Sequence, residues 1–420
     1  MTHLSLNSSS LENILLHKLS RVIGQAPIRI VLPSGSEISP RDTAPAGTLV
    51  INDRQTLARI ILSPEIEFGD AYTEGRVEID GDLVEVLTAV FRALSGKNAG
   101  SWFARLVSKW LERTQSNTLN GSREHIHRHY DLSTDFYKLW LDSEMVYTCA
   151  YFESPSVGLE AAQIEKMDLV CRKLQLQRGE RVVEAGCGWG SFALHMAEHY
   201  GVRVKAFNIS QEQLAYARAA AKRRGLADRV EFIEDDYRNI RSRFDAFVSV
   251  GMLEHVGTEN YGALGEVIYR AIGNSGRGLL HFIGMNRPRP LSAWIRKRIF
   301  PGASPPTLSQ VMPPLFEPWN YSVLDVENLR LHYAQTLRHW RNRFERSTDR
   351  VAQMFGEQFV RLWRLYLAGS EAGFLSGSLQ LFQILFAGAE CRQIPWTRAH
   401  LYEKQQQAAK REAKWMHAAS

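Results

Sequence analysis

An acid followed by three glycines at alternate positions, Glu184-Ala185-Gly186-Cys187-Gly188-Trp189-Gly190, is where this chain most plainly carries chemistry. Glycine lets backbone approach a ligand where a Cβ would exclude it, and the Glu184 carboxylate offers an acceptor to a cationic amine or a hydroxyl. The spacing E-x-G-x-G-x-G lacks the second spacer of a dinucleotide fingerprint and suits a nucleoside ligand without a pyrophosphate, with S-adenosylmethionine the leading candidate. Asp236-Tyr237 closes the run Val230-Glu231-Phe232-Ile233-Glu234-Asp235. An acid there can accept from an adenine amine, and the tyrosine can stack on the ring. One expected group is missing. The run Ala206-Phe207-Asn208 ends in an amide where many nucleoside-binding α/β proteins place an acid for the ribose hydroxyls.

Such a turn needs a strand before it and a helix after it. Val182-Val183 leads in with β-branched residues, and Phe192-Ala193-Leu194-His195-Met196-Ala197 leads out with helical periodicity. Strands are expected at 181–185, 202–207, 230–233, 246–250 and 279–283, with helices ending at Tyr200 and spanning 211–224. This alternation predicts an α/β fold with a doubly wound, mostly parallel sheet whose ligand sits at the carboxyl ends of the strands. Further on, a helical insertion is expected at 294–300, and 353–386 reads as two apolar helices separated near 369–377, suitable walls for a lipid pocket. Residues 1–100 read as a separate small α+β domain, with strands at 28–32, 48–51 and 58–62 and an apolar helix at 83–94. Residues 101–122 form a basic amphipathic linker. In it Trp102, Phe103, Leu106, Val107 and Trp110 share one helical face beside Arg105 and Lys109, which suits a membrane interface or docking on the catalytic domain, residues 123–420.

The 51 basic residues against 45 acidic ones leave a net charge of only +6, and no nucleic-acid partner is expected. Basic residues gather instead in Arg296-Lys297-Arg298, between Arg338 and Arg346, and after Lys404. Anionic phospholipid headgroups suit those clusters. No run of eighteen or more uncharged apolar residues occurs, so no bilayer span is expected, and the N-terminus lacks the pattern of a signal peptide. The four cysteines, Cys149, Cys171, Cys187 and Cys391, lack paired metal spacing and argue against a zinc site or a disulfide framework. The expected location is the cytoplasm, peripherally on the inner face of the membrane.

From about His129 onward the chain resembles the cyclopropane-fatty-acyl-phospholipid synthase family, which includes the mycolic acid cyclopropane synthases. The resemblance rests on His129-Tyr130-Asp131, Tyr147-Thr148-Cys149-Ala150-Tyr151-Phe152, the glycine turn, Asn208-Ile209-Ser210-Gln211-Glu212-Gln213, Gly251-Met252-Leu253-Glu254-His255-Val256-Gly257, Leu279-Leu280-His281-Phe282-Ile283-Gly284 and Ile299-Phe300-Pro301-Gly302, in the family's order. Gly69-Asp70-Ala71-Tyr72-Thr73-Glu74-Gly75 resembles a run in the N-terminal domain of full-length bacterial members, a domain associated with lipid binding and dimer assembly. The resemblance implies a class I S-adenosylmethionine-dependent methyltransferase, Rossmann-like, with helical lipid-pocket insertions. It assigns the loop from Asn208 through Ser210 to Gln213 to the cofactor, with the Gln213 amide on a ribose hydroxyl, and Tyr147 and Thr148 to the methionine end. It also implies a bound bicarbonate held by Cys149, Glu254, His281, the backbone of Ile283, and Tyr333.

The implied reaction makes sense of those residue types. An alkene attacking the sulfonium methyl leaves a carbocation on the acyl chain, which requires a dry pocket, aromatic faces and one base for the proton of the new methyl. Each face contributes roughly 0.5–2 kcal/mol to a desolvated cation, and Tyr147, Tyr151, Phe152, Phe282 and Tyr333 are the candidates. Tyr333, His281 and Cys149 can donate to bicarbonate, while Glu254 can accept its hydroxyl and orient His281. A positioned base is worth about 10²–10⁴-fold. Two positions depart from the family: Ser370 stands where a cysteine is usual and Leu375 where synthases often have arginine. The expected activity is methylene transfer from S-adenosylmethionine to a cis double bond of an unsaturated phospholipid acyl chain. A methyl- or methylene-branched product from the same cation is the rival outcome, and a noncatalytic lipid-binding protein the alternative of another class.

Overall fold

The computed structural model describes residues 8–40, 42–96 and 132–402. The Trp102 to Leu111 segment, His129-Tyr130-Asp131 and the tail after Tyr402 lie outside the described residues.

Two sheets organise the chain. The first lies among α1 (Ser8–Val22), β1 (Arg29–Val31), β2 (Glu37–Ile38), β3 (Thr48–Ile51), α2 (Arg54–Leu62), α3 (Pro64–Thr73), β4 (Val77–Asp80) and α4 (Leu83–Gly96). Its order is β2-β1-β3-β4, with β1 and β3 parallel and both edge strands antiparallel. The segment 58–62, expected as a strand, is the end of helix α2. Asp53 caps that helix by accepting the Thr56 N–H at 2.7 Å, and Leu57 and Ile60 are buried three apart. The β-branched pair Ile60-Ile61 hid this helical stripe.

After α5 (Thr134–Lys138) and α6 (Leu159–Lys173), strand and helix alternate as expected: β5 (Arg181–Ala185), α7 (Ser191–Tyr200), β6 (Arg203–Asn208), α8 (Gln211–Arg223), β7 (Val230–Glu234), β8 (Ala246–Val250), α9 (Tyr261–Ile272) and β9 (Arg277–Gly284). The chain continues through α10 (Ala293–Arg298), α11 (Leu308–Leu315), β10 (Ser322–Asn328), α12 (Arg330–Glu345), α13 (Thr348–Phe355), α14 (Glu357–Ser376), β11 (Gln380–Ala387) and α15 (Ala399–Tyr402). The seven-stranded sheet runs β10-β11-β9-β8-β5-β6-β7, and only β11 is antiparallel to its neighbours. Strand order departs from β5 in both directions, so the ligand crevice of this topology opens at the carboxyl ends of β5 and β8.

The region 353–386 is not two helices broken near Gly369. Helix α14 runs unbroken through Gly369 and Gly373 and stops at Gly377, whose φ of +79° places it in the left-handed region that ends helices. Strand β11 follows, buried along its whole length between β9 and β10. A short continuous apolar run of this kind cannot be told from a buried helix by periodicity.

Helix α14 also joins the two parts of the chain. Arg361 donates to the carbonyls of Tyr72 at 2.7 Å and Val77 at 3.0 Å, with its guanidinium 4.5 Å from the Tyr72 ring centroid. Tyr72, Val84 and Leu87 share one buried cluster with Trp294, Trp363 and Tyr366. A Cβ at Gly69 would stand 2.4 Å from the Trp294 ring, and Asp70 accepts from Trp294 Nε1 at 3.1 Å and from Arg298 at 2.7 Å. The Gly69 to Gly75 run thus packs α3 against α10.

Candidate active site

Gly186, Gly188 and Gly190 link β5 to α7, with φ of +84°, +54° and +85°. They differ in what a side chain would meet. A Cβ at Gly190 would lie 2.7 Å from Ala217 Cβ and the Phe232 ring, and one at Gly186 would lie 3.2 Å from Met252. At Gly188 nothing among the described residues lies within 4 Å of that position. Packing therefore fixes the outer two, while Gly188 borders open space, as backbone that approaches a ligand must. The N–H groups of Gly186 and Cys187 both donate to the Phe207 carbonyl, at 2.9 and 3.1 Å, tying the turn to the end of β6. Burial pushes the Cys187 thiol up, which makes it a packing group.

Asn208 completes that tie. Its Nδ2 donates to the Gly188 carbonyl at 3.1 Å and to Gln213 Oε1 at 2.8 Å, while its Oδ1 accepts from Ile209 N–H at 2.8 Å and Ser210 N–H at 3.3 Å. An acid could not donate those bonds, which gives a physical reason for an amide here. Ser210 caps α8 by accepting the Gln213 N–H at 3.4 Å. Asp236 accepts the Arg238 N–H at 2.9 Å, and Arg238 lies over the Tyr237 ring at 5.3 Å. These residues end β5, β6 and β7 on the same edge of the sheet.

Glu184 Oε2, Glu254 Oε2 and His281 Nε2 are among the buried polar atoms with no hydrogen-bond partner among the described residues, as is Gln383 Oε1. Glu184 receives the Ala193 N–H of α7, and burial raises its pKa to about 8. Glu254 accepts the Ile283 N–H at 3.4 Å, and burial raises it to about 7. His281 stands opposite Gln383 on β11, whose Nε2 lies 3.0 Å from His281 Nδ1. Burial pushes the imidazole well below its usual pKa and keeps it neutral. With Nδ1 accepting from the amide, the ring proton sits on Nε2. The orientation of His281 thus comes from Gln383, not from Glu254 as expected. An unmet buried polar group costs about 1–3 kcal/mol, so these groups are candidates to meet a bound ligand. Open space at Gly188 with Glu184 Oε2 fits an amine-bearing nucleoside. His281 Nε2–H can donate and Glu254 Oε2 can accept, the two roles expected of them toward a small anion.

Other expected ligands of that anion are engaged within the protein. The Cys149 thiol is fully buried and donates to the Ala150 carbonyl at 3.1 Å, with desolvation pushing its pKa up. The Ile283 N–H is directed to Glu254. Tyr333 lies with its ring 4.6 Å from Phe374 and 5.9 Å from Trp340. The Tyr147 hydroxyl meets that of Tyr366 at 2.7 Å, and its ring lies 5.3 Å from both Trp140 and Trp340. Tyr147, Tyr151, Phe152 and Tyr333 gather in one cluster with Cys149 and Ile283. Phe282 does not join them. It alternates with His281 along β9 and packs on the opposite face, against Phe382. Ser370 is half-buried on α14, next to Glu371, which Arg338 and Arg341 of α12 hold at 3.1 and 3.0 Å. Leu375 packs at the edge of the aromatic cluster. Sequence reasoning missed Gln383, Tyr366 and Lys166. For Gln383 and Lys166 the available signal was a polar residue at a core position of an apolar element.

Comparison with known proteins shows the family. The mycolic acid cyclopropane synthetase family matches residues 117–384, and a domain of unknown function matches residues 15–98. The chain belongs to the mycolic acid cyclopropane synthetase family. Within its reach, a probable fatty acid methyltransferase of Pseudomonas putida is 35% identical over 388 residues, covering 90% of this chain and 96% of that relative. The cyclopropane-fatty-acyl-phospholipid synthase of Escherichia coli is 34% identical over 362 residues, covering 85% and 91%. Among solved structures, the cyclopropane synthase MmaA2 from Mycobacterium tuberculosis aligns with a TM-score of 0.60 at 28% identity, over 63% of this chain and 98% of that one. The mycolic acid cyclopropane synthase CmaA1, solved with SAH and CTAB, aligns with a TM-score of 0.60 at 29% identity, over 63% and 97%. The architecture is the class I methyltransferase fold that the sequence predicts.

Proposed function

We propose that this family member transfers a methylene group from S-adenosylmethionine to a cis double bond in an unsaturated phospholipid acyl chain, giving a cyclopropane. The observation that carries the reading is the pair of unmet buried groups, Glu254 Oε2 and His281 Nε2, on the sheet edge that holds the glycine turn. Bound S-adenosylmethionine supplies an electrophilic methyl on a sulfonium, and bound bicarbonate supplies a base for the proton of the new methyl. Glu184 accepts from the cofactor amine, Gly188 admits it, and Gln213, Asp236 and Tyr237 receive its nucleoside. Tyr147 and Thr148 close its methionine end. The faces of Tyr147, Tyr151, Phe152 and Tyr333 stabilise positive charge on the acyl chain and exclude water. His281 donates its Nε2–H to an oxyanion and Glu254 accepts from its hydroxyl, leaving Cys149 and Ile283 to shape the wall behind them. Ser370 belongs to the acyl side of the pocket.

The relative named as a fatty acid methyltransferase, together with Ser370 and Leu375, favours weighing a branched product beside the ring. The basic clusters support peripheral binding to an anionic cytoplasmic leaflet, and the N-terminal module suits lipid binding or dimer assembly. The decisive experiment incubates the purified protein with S-adenosylmethionine and vesicles of a cis-unsaturated phospholipid, followed by NMR and mass spectrometry of the lipid. Upfield ring protons with a gain of one CH2 are expected. Exclusively olefinic methylated product would overturn ring closure and leave methyl transfer standing. No incorporation at all would leave a lipid-binding protein.

A further inference from the structure

Lys166 of α6 is a buried cation to which neither the cofactor cradle nor the anion site has so far given a role. Its residue is 1% exposed, and its Nζ donates to Thr148 Oγ1 at 3.0 Å. One turn earlier on α6, Gln163 Nε2 donates to the Thr148 carbonyl at 2.9 Å. Thr148 is therefore held at both side chain and backbone by one helix. On its other side a Cβ at Gly251, at the end of β8, would lie 3.0 Å from Thr148 Cγ2. The loop fixed in this way carries Tyr147 on one side of Thr148 and Cys149 on the other.

The charges that act most on the ammonium come from the preceding loop, β5 and α6 itself. Asp142 and Cys149 face it from the preceding loop, Glu184 from β5 and Cys171 from α6 itself, while His281 on β9 feels its field. Cluster membership explains the convergence: Val182 and Leu279 pack with α6 residues Met167 and Val170, whereas Val183 and Leu280 pack on the far face. Glu184 and His281 alternate with the latter two and so lie on the face that α6 covers. Asp142 has both oxygens taken, by the N–H groups of Val146 at 3.0 Å and Glu144 at 2.9 Å. Glu184 retains an unmet oxygen.

A lone ammonium in an interior is expensive unless it compensates negative charge. We propose that Lys166 is a positioning residue for the cofactor, holding Thr148 against the site and easing the ionisation of Glu184, which accepts a cationic amine. The idea rests on the cofactor reading above and names the group that opposes protonation of the cradle's acid. Burial alone drives a carboxyl to take up a proton, and burial alone drives an amine to lose one. Each group opposes the other's tendency, in line with pKa values near 8 for both.

Calorimetric titration with S-adenosylhomocysteine from pH 6 to pH 9, for the native protein, Lys166→Met and Thr148→Val, tests this, with thermal melting in parallel. Lys166→Met should bind roughly tenfold or more weakly, and the rise in affinity that accompanies ionisation of Glu184 should move to higher pH than in the native protein. Thr148→Val should weaken binding by a factor independent of pH. A purely structural Lys166 would lower the melting temperature and leave the pH profile parallel to the native one. A folded Lys166→Met with native affinity and profile overturns the proposal. Should that variant not fold, undiminished affinity in Thr148→Val overturns it. A native protein that binds no S-adenosylhomocysteine would instead sink the cofactor reading itself.

Discussion

Asp142, Glu184 and Glu254 are carboxyl groups whose pKa values burial raises to about 6, 8 and 7. A raised carboxyl binds its proton more tightly in the folded protein than in the unfolded chain. Its contribution to stability is complete below the unfolded value and is lost as pH rises through the folded one. The contribution of these three carboxyls should therefore decline between about pH 4.5 and pH 8, opposite to the behaviour of a salt-bridged acid. Glu254→Gln keeps an acceptor for the Ile283 N–H and cannot ionise. It should melt several degrees above the native protein at pH 8 and show no advantage near pH 5, while losing about 10²-fold or more in turnover. Scanning calorimetry at the two pH values checks the first part, and an offset equal at both would assign the titration to another group.

At the scale of elements, the strand–turn–helix unit makes a sharper test because two of its glycines face different surroundings. Gly190→Ala forces a Cβ into Ala217 and Phe232 at an unfavourable φ, and should destabilise by about 2–4 kcal/mol. Gly188→Ala meets no atom of the described residues, so it should lose only about 1–2 kcal/mol to backbone strain yet abolish S-adenosylhomocysteine binding. Melting curves beside titrations separate the two, and full binding by Gly188→Ala would move the ligand away from the turn. This unit was legible in the sequence because β-branched residues, alternating glycines and a helical run change period within a few residues. Helix α2 was not legible, since its short apolar stripe contains β-branched residues, and neither was β11, whose two buried faces erase alternation. In the site, Glu254 and His281 were readable from motif and strand position. The roles of Gln383 and Lys166 depend on partners more than 15 residues away in sequence, and Phe282 was misplaced because a strand's two faces are told apart only by what packs on them.

For the whole molecule, the basic clusters prove unequal. Arg338, Arg341 and Arg343 are committed to Glu371 and Glu160, whereas Arg287 and Lys297 are exposed between β9 and the end of α10. Among the described residues no helix is long and apolar enough to cross a membrane. Exposed cations contribute about 1 kcal/mol each near an anionic surface, screened within about 10 Å at 0.1 M salt. Sedimentation with anionic vesicles should therefore be salt-sensitive and weakened by Arg287→Glu with Lys297→Glu; equal binding to neutral vesicles at low salt would remove the electrostatic attraction. The reach of α14 has a different consequence. Tyr72, Val84 and Leu87 are buried in the same cluster as the aromatic residues of this helix, so α3 and α4, which cover the first sheet, share packing with the helix that flanks the second. Heating should then give one endotherm with equal calorimetric and van't Hoff enthalpies, where two independent domains would give two. Arg361→Ala should lower that single transition temperature without splitting it, making the chain thermodynamically indivisible despite its two sheets.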